Sequence, residues 1–252
     1  MRGRGGFFGF NRVPAASAIN SAASGVWNLR EAESLRRAGT WPIPPSPVLL
    51  MHFNAENGST AFIDSTATNT ATAIGSVSIS TSASKFGGSS AFFNGGHIGF
   101  ASTAATQFGT ADFSIDFWLY PTSYPQDNQV VLSMVSWPNQ SGIQLSISSN
   151  SFTATTGGFG QYRVIDGTFV NKWTHFAISR ISGSLAIYVN GIAQSFSGTR
   201  GNMDGDYSDG LQYIGRPTDV NNYKFFGYMD ELRIVRGESM FTANFTPPSS
   251  EY

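Results

Sequence analysis

FSIDFWLYPTS, residues 113–123, alternates its side chains with a period of two. Phe113, Ile115, Phe117 and Leu119 fall on one side, and Ser114, Asp116, Trp118 and Tyr120 on the other. Successive side chains of a strand point to opposite faces, so this pattern predicts a β-strand with one face in an apolar core. Strand-like runs recur along the chain from residue 48: VLLMHF (48–53), VSIST (77–81), VVLSMV (130–135), IQLSIS (143–148), WTHFAISR (173–180) and SLAIYV (184–189). Their spacing of about 8 to 12 residues is that of a β-sandwich or jelly roll. Between SLAIYV and IAQSF, Asn190 and Gly191 supply a two-residue hairpin turn, because both tolerate positive φ.

Composition agrees with this reading. The 252 residues are 40% hydrophobic and 12% charged, with 21 phenylalanines and 28 glycines. Short strands joined by tight turns have this balance, and the apolar content suffices for a large core. The absence of cysteine excludes disulfides, thiolate metal sites and cysteine nucleophiles. MRGRGGFFGF at the start lacks the apolar run of a signal peptide, and no stretch reaches the roughly 20 apolar residues of a membrane span. The expectation is a protein without membrane insertion that leaves its cell, if at all, by a route such as lysis.

Charge is unevenly placed. Residues 1–46 carry Arg2, Arg4, Arg12, Arg30, Arg36 and Arg37 against Glu31 and Glu33, whereas the chain as a whole has net charge −1. A basic arm on an acidic domain suits docking onto a negative partner; a solvated tail is the alternative. Within the arm, WNLREAESLRRAGTWP predicts a short helix at about 28–38, capped by Asn28, with Glu31 three residues on and Gly39 before Pro42. Leu29, Ala32 and Leu35 share one face of it, and Trp27 and Trp41 flank it. PIPPSP (42–47) is a stiff linker, which places the domain boundary between a 1–46 arm and a 47–252 head.

GYMDELRIVRG, residues 227–237, sets Asp230 and Glu231 inside an otherwise apolar strand. Adjacent strand residues face opposite ways, so these two carboxylates cannot serve one substrate as the pair of a retaining glycosidase does. A calcium site remains open to them, as does pairing with Arg233, Arg236 or backbone amides. The three histidines form no metal-ligand cluster in sequence, and His175, on the face of Trp173 and Ala177, reads as a structural, hydrogen-bonded residue. No serine nucleophile elbow is present, and neither GGFFGF nor GGFGQY is a phosphate loop. Asp204, Asp206 and Asp209 of DGDYSD are an alternative ion site without the closing glutamate of an EF-hand.

Taken in order, FSIDFWLYPTS, WTHFAISRISGSLAIYVNGIAQ, YIGRP and GYMDELRIVRG, with MHFNAENGSTAFIDST ahead of them, resemble the laminin-G-like jelly roll of the concanavalin A-like lectin and glucanase superfamily. The resemblance spans about residues 48 to 248. It implies an all-β, two-sheet antiparallel jelly-roll sandwich with ligand sites on a concave face or rim loops. Relatives of this kind often hold calcium, which implies Asn54, Asp64 and Asp230 as ligands; Asn54 departs from the acidic residue of the pattern. The glucanase segment Glu-x-Asp-x-x-Glu has no counterpart here, so hydrolysis is not expected. ELRIVRGESMFTANFTPP and WNLREAESLRRAGTWP are similar to segments in structural proteins of tailed bacteriophages.

The resulting expectation is a non-enzymatic virion protein, a capsid decoration, fibre or tail component, exposed on a particle assembled in the host cytoplasm. Arg2, Arg4, Arg12, Trp27, Arg36, Arg37 and Trp41 would attach it to capsid or tail proteins. The head, displayed as a homo-oligomer or in many copies, would adhere weakly to cell-surface glycans through the loop aromatics Tyr124, Trp137, Tyr207 and Tyr223. Calcium is the one cofactor considered, and no nucleic acid is expected. A bacterial surface adhesin is the alternative, and a glucanase-type hydrolase the less favoured one.

Overall fold

The period-two runs fold as strands, packed as two antiparallel sheets in a jelly-roll sandwich. The structure, a computed structural model, describes residues 45–101, 103, 106–136, 141–156, 160–165, 168–197, 211–217 and 222–252. The expected helix at 28–38 and every attachment residue of the arm lie outside the described residues. Among those described, the strands are β1 (Leu49–Met51), β2 (Ala71–Ile74), β3 (Val77–Ser80), β4 (Ser90–Asn94), β5 (His97–Ala101), β6 (Phe113–Pro121), β7 (Gln129–Ser136) and β8 (Ser141–Ile147). They continue as β9 (Ser151–Thr156), β10 (Gly160–Ile165), β11 (Thr174–Ile181), β12 (Ser184–Val189), β13 (Ile192–Ala193), β14 (Leu211–Ile214) and β15 (Phe226–Arg236).

One sheet runs β13-β12-β11-β6-β15-β4-β3, with β1 also pairing β15; the other runs β10-β9-β8-β7-β14-β5-β2. The last strand thus inserts between β6 and β4, so both ends of the head meet in one sheet. Phe113, Ile115, Phe117 and Leu119 point into the core, fully buried, as their alternation requires. They meet Phe152 and Phe176, stacked at 4.5 Å, and Phe108, stacked on Phe113 at 4.3 Å. The β12–β13 hairpin turns on Asn190 at φ +49° and Gly191 at φ +78°, the left-handed conformation both residues tolerate.

β6 differs from the expected half-buried strand, since Ser114, Asp116 and Trp118 on its outward face are buried too. Residues 237–252 cover Ser114 and Asp116, and the Lys85–Phe86 bend covers Trp118. Gly237 N–H donates to Asp112, Met240 N–H to Ser114 Oγ, and Phe245 N–H to the Gly191 carbonyl. Phe241 and Phe245 stack at 4.3 Å and close over Tyr188 and His175, and Tyr188 O–H donates to the Phe241 carbonyl.

At the end of this strap lies a buried charge. Asp116, with no exposure, accepts two hydrogen bonds from Arg233, each 3.0 Å, and another from the Tyr252 hydroxyl, while His175 Nε2 lies 3.3 Å away. The Arg233 guanidinium also covers the Tyr252 ring at 3.6 Å. Burial by itself pushes the Asp116 carboxyl up, but the His175 hydrogen bond and the Arg233 charge outweigh it and hold the group below the usual carboxylate range.

The two carboxylates of GYMDELRIVRG sit at a bulge, which corrects the expectation that they face opposite ways. Asp230 opposes Trp118 and Arg233 opposes Asp116, so β15 carries one extra residue there. Glu231 absorbs it at φ +53°. Both carboxylates end on the outward side and both are buried. Glu231 binds His52 Nδ1 at 3.0 Å and accepts from the Tyr252 amide at 3.1 Å. Asp230 Oδ2 accepts from the amides of Lys85 and Phe86 at 2.7 and 3.1 Å, and Oδ1 has no donor among the described residues. Burial dominates, the two amides oppose it and the neighbouring Glu231 adds to it, so Asp230 is pushed up to about 7.

Two predictions follow from these carboxylates. Asp116→Ala strands the Arg233 guanidinium and costs about 3–5 kcal/mol, whereas Tyr252→Phe removes one donor to a charged group and costs about 1.5–3 kcal/mol. Urea midpoints at constant m-value test that order; a silent Tyr252→Phe refutes the strap. The folded state holds the Asp230 proton above the ordinary value of 3.8, where the unfolded chain has lost it. The stability that this proton confers is therefore complete below pH 3.8 and lost as pH rises to about 7. Asp230→Asn cannot titrate, so its melting temperature relative to wild type should climb between pH 4 and about 7 and then level off; a pH-independent difference refutes the assignment.

Candidate functional site

Beyond the strap, the same outward face carries a row of rings. Tyr228 of β15 lies in register between Tyr120 of β6 and Phe92 of β4. Trp173 directly precedes Thr174, the partner of Leu119, and so comes beside Tyr120. Ring centroids are 5.5 Å apart from Trp173 to Tyr120, 5.9 Å from Tyr120 to Tyr228 and 4.8 Å from Tyr228 to Phe92. All four are partly exposed. Neighbouring strands lie about 4.8 Å apart, which sets the pitch of such a row. The strip is comparable in pitch to a chain of sugar rings, whose apolar faces stack on aromatic side chains while their hydroxyls stay in water.

The rim of the strip is also defined. Trp118 lies one step below Tyr120 on β6, buried under the bend that joins β3 to β4; the Lys85 ammonium is 3.9 Å above its ring, and Phe86 meets it edge-on at 6.1 Å. The amides that seat this bend are those held by Asp230. Phe226, two residues before Tyr228, packs against Gly95, and so does the stem of Lys224.

The outward face of the other sheet is polar. Register aligns Gln161, Thr155, Gln144, Ser133, Tyr213, Gly99 and Thr72 across its seven strands. On it Tyr213 lies over Gly99, with His97 edge-on at 5.1 Å and the Arg216 guanidinium 4.8 Å from its centroid. A Cβ at Gly99 would lie 3.3 Å from the ring, a tight contact that Tyr213 could accept only by shifting a few tenths of an ångström. Burial first, then the charges of Arg216 and Lys224, lower the His97 pKa to about 4, so it is a neutral ring at pH 7.

The residues singled out from sequence take different places. Asp64 makes a turn: its carboxylate accepts from the amides of Leu50, Thr66 and Asn69 and from the Thr66 and Asn69 side chains. Burial raises its pKa, but these donors prevail and hold it below the usual range. Asn54 is exposed and donates to Glu251. Asn54, Asp64 and Asp230 thus have separate partners, no contact joins any two of them, and among the described residues no group of three or more His, Cys, Asp or Glu is placed to hold a metal ion. Tyr124 is not an offered ring, since it packs against the core with its hydroxyl buried. Tyr223 is 46% exposed, at φ +58°, and its carbonyl accepts from Val130 N–H. Trp137, Tyr207 and the aspartates of DGDYSD lie outside the described residues. The strip itself was missed by a search confined to loop aromatics; its sequence signal was Trp118 and Tyr120 on the outward side of FSIDFWLY.

Comparison with known proteins places this geometry in a family. Residues 94–238 match the Laminin_G_3 model of the concanavalin A-like lectin/glucanases superfamily. Comparison with the curated proteins gives no match. Among solved structures, domain 4 of AbnA, a GH43 extracellular arabinanase from Geobacillus stearothermophilus in complex with arabinotriose, is similar at TM-score 0.55 and 20% identity, over 77% of this chain and 93% of that one. The botulinum neurotoxin serotype D binding domain is similar at TM-score 0.56 and 14% identity, over 77% of this chain and 49% of that one. The binding domain of Paraclostridial Mosquitocidal Protein 1 is similar at TM-score 0.54 and 15% identity, over 76% and 49%. The chain therefore spans about half the length of the toxin domains and nearly all of the arabinanase domain. By the match over residues 94–238, the chain belongs to the concanavalin A-like lectin/glucanases superfamily.

Proposed function

We propose that the chain is a non-enzymatic carbohydrate-adhesion module, carried on a tailed-phage particle by its basic arm. The observation that carries the adhesion reading is the strip of Trp173, Tyr120, Tyr228 and Phe92, left open on a face whose other half is filled by the chain's own residues 237–252. The arabinanase domain in complex with arabinotriose supports a carbohydrate ligand for this fold. Burial of Asp116, Asp230 and Glu231, each already holding protein donors, supports binding without hydrolysis, because a glycosidase presents its carboxyls to the substrate. The arm's six arginines and the likeness of its WNLREAESLRRAGTWP segment to phage structural proteins support the particle. A single strip binds weakly, and display in many copies raises avidity by about 10² to 10⁴.

Tyr120→Ala and Trp173→Ala should each weaken retention on a polysaccharide affinity gel by several-fold, about 1 kcal/mol per ring. Both should keep the wild-type melting curve, and the reducing-end assay should stay at background for all samples. Unaltered retention in the double variant, or sugar release abolished by Glu231→Gln, refutes the reading. Deleting residues 1–41 should leave a folded head that no longer joins particles; normal incorporation of the truncated chain removes the arm's assigned role.

A further inference from the structure

The chain has three lysines, Lys85, Lys172 and Lys224, and all three border the aromatic strip. Lys85 lies over Trp118, one step from Tyr120 on the same strand. Lys172 is exposed and adjoins Trp173; the turn that holds it is tied to the end of β6 by Asn171 N–H donating to the Pro121 carbonyl at 2.8 Å, directly beyond Tyr120. The Lys224 stem runs along Gly95 beside Phe226, at the Tyr228 and Phe92 end, with its charge also within reach of His97 at the sandwich edge. None of the three forms an ion pair with a described carboxylate. The acids of this face offset them little: Asp116 is bound by Arg233, Glu231 by His52, and Asp230 is buried beneath the bend. Glu251, exposed against Gly87 of the bend that carries Lys85 and accepting from Asn54, is an opposing charge on this face, and Asp127 is exposed in the loop between β6 and β7. A lysine can lay its stem along apolar surface and hold its charge at the edge, which suits rings in the middle of a site and anions at its margin.

We propose that the strip's ligand is an acidic polysaccharide, whose sugar rings lie on Trp173, Tyr120, Tyr228 and Phe92 and whose carboxylate or phosphate groups are met by Lys85, Lys172 and Lys224. The inference rests on the carbohydrate-binding reading above and adds the charge of the ligand. Electrostatic contacts of this exposed kind weaken as salt screens them, whereas ring stacking does not.

The test uses the full chain in affinity electrophoresis and calorimetry against polygalacturonate, a poly(ribitol phosphate) teichoic acid, neutral arabinan and dextran, and a single-stranded oligothymidylate. At low salt one or both acidic polymers should bind at least about tenfold more tightly than the neutral ones, about 1.4 kcal/mol, and added salt should erase the difference. A response to polygalacturonate alone assigns the carboxylate, and to teichoic acid alone the phosphate. Lys172→Gln with Lys224→Gln should lose that advantage with an unchanged melting curve and with any neutral binding intact. Equal binding of neutral and acidic polymers, or lysine variants without effect, overturns the inference and leaves the adhesion reading standing. Binding of no polysaccharide, or tighter binding of the oligothymidylate, overturns both.

Discussion

A negative charge held entirely out of water is the constraint around which this domain is organised. Asp116 stands on the outward face of the central strand of one sheet, where an uncompensated carboxylate would cost several kcal/mol. Its partners come from three places: Arg233 on the neighbouring strand β15, His175 on β11 and Tyr252 at the end of the chain. The network forms only when the last strand has inserted beside β6 and the strap has crossed the sheet. The buried charge thus ties the final residues to the centre of the sheet.

The strap has a consequence for the outer surface. It fills half of the sheet face with Phe241, Phe245 and Tyr252, and Trp173, Tyr120, Tyr228 and Phe92 remain open on the other half. Between the halves, Asp230 fastens the Lys85–Phe86 bend over Trp118. Protonation of Asp230 near neutral pH lessens the cost of burying it, so the bend is held without a full charge beneath it. The carboxylates of GYMDELRIVRG and Asp116 are structural fastenings in the fold, and the open surface is aromatic.

Much of this was legible before the structure. The period-two alternation of FSIDFWLY, SLAIYV and IQLSIS specified strands and their core face, because burial on one side of a pleated strand requires it. Asn190-Gly191 specified its hairpin, and His175 read correctly as a hydrogen-bonded structural residue. Other strands were less legible: β2, ATAI, and β9, SFTATT, are short and polar, and carry little hydrophobic signal of their own. Tyr124 misled because a ring beside a proline and polar neighbours looks exposed, while its burial depends on what the sandwich edge leaves uncovered.

By itself the sequence determined the fold class and the inward face of the principal strands, both local properties of composition and spacing. The tertiary structure alone decided the site. Phe92, Tyr120, Trp173 and Tyr228 are far apart along the chain and meet only through the register of β4, β6, β15 and the start of β11. The bulge at Glu231 arises on β15 where β4 and β1 pair successive stretches of one edge while β6 runs along the other, a three-strand condition that no local window contains. A strand's own alternation says which of its residues share a face, but the neighbours on that face are set by pairing, and pairing is settled by the closure of the whole sandwich.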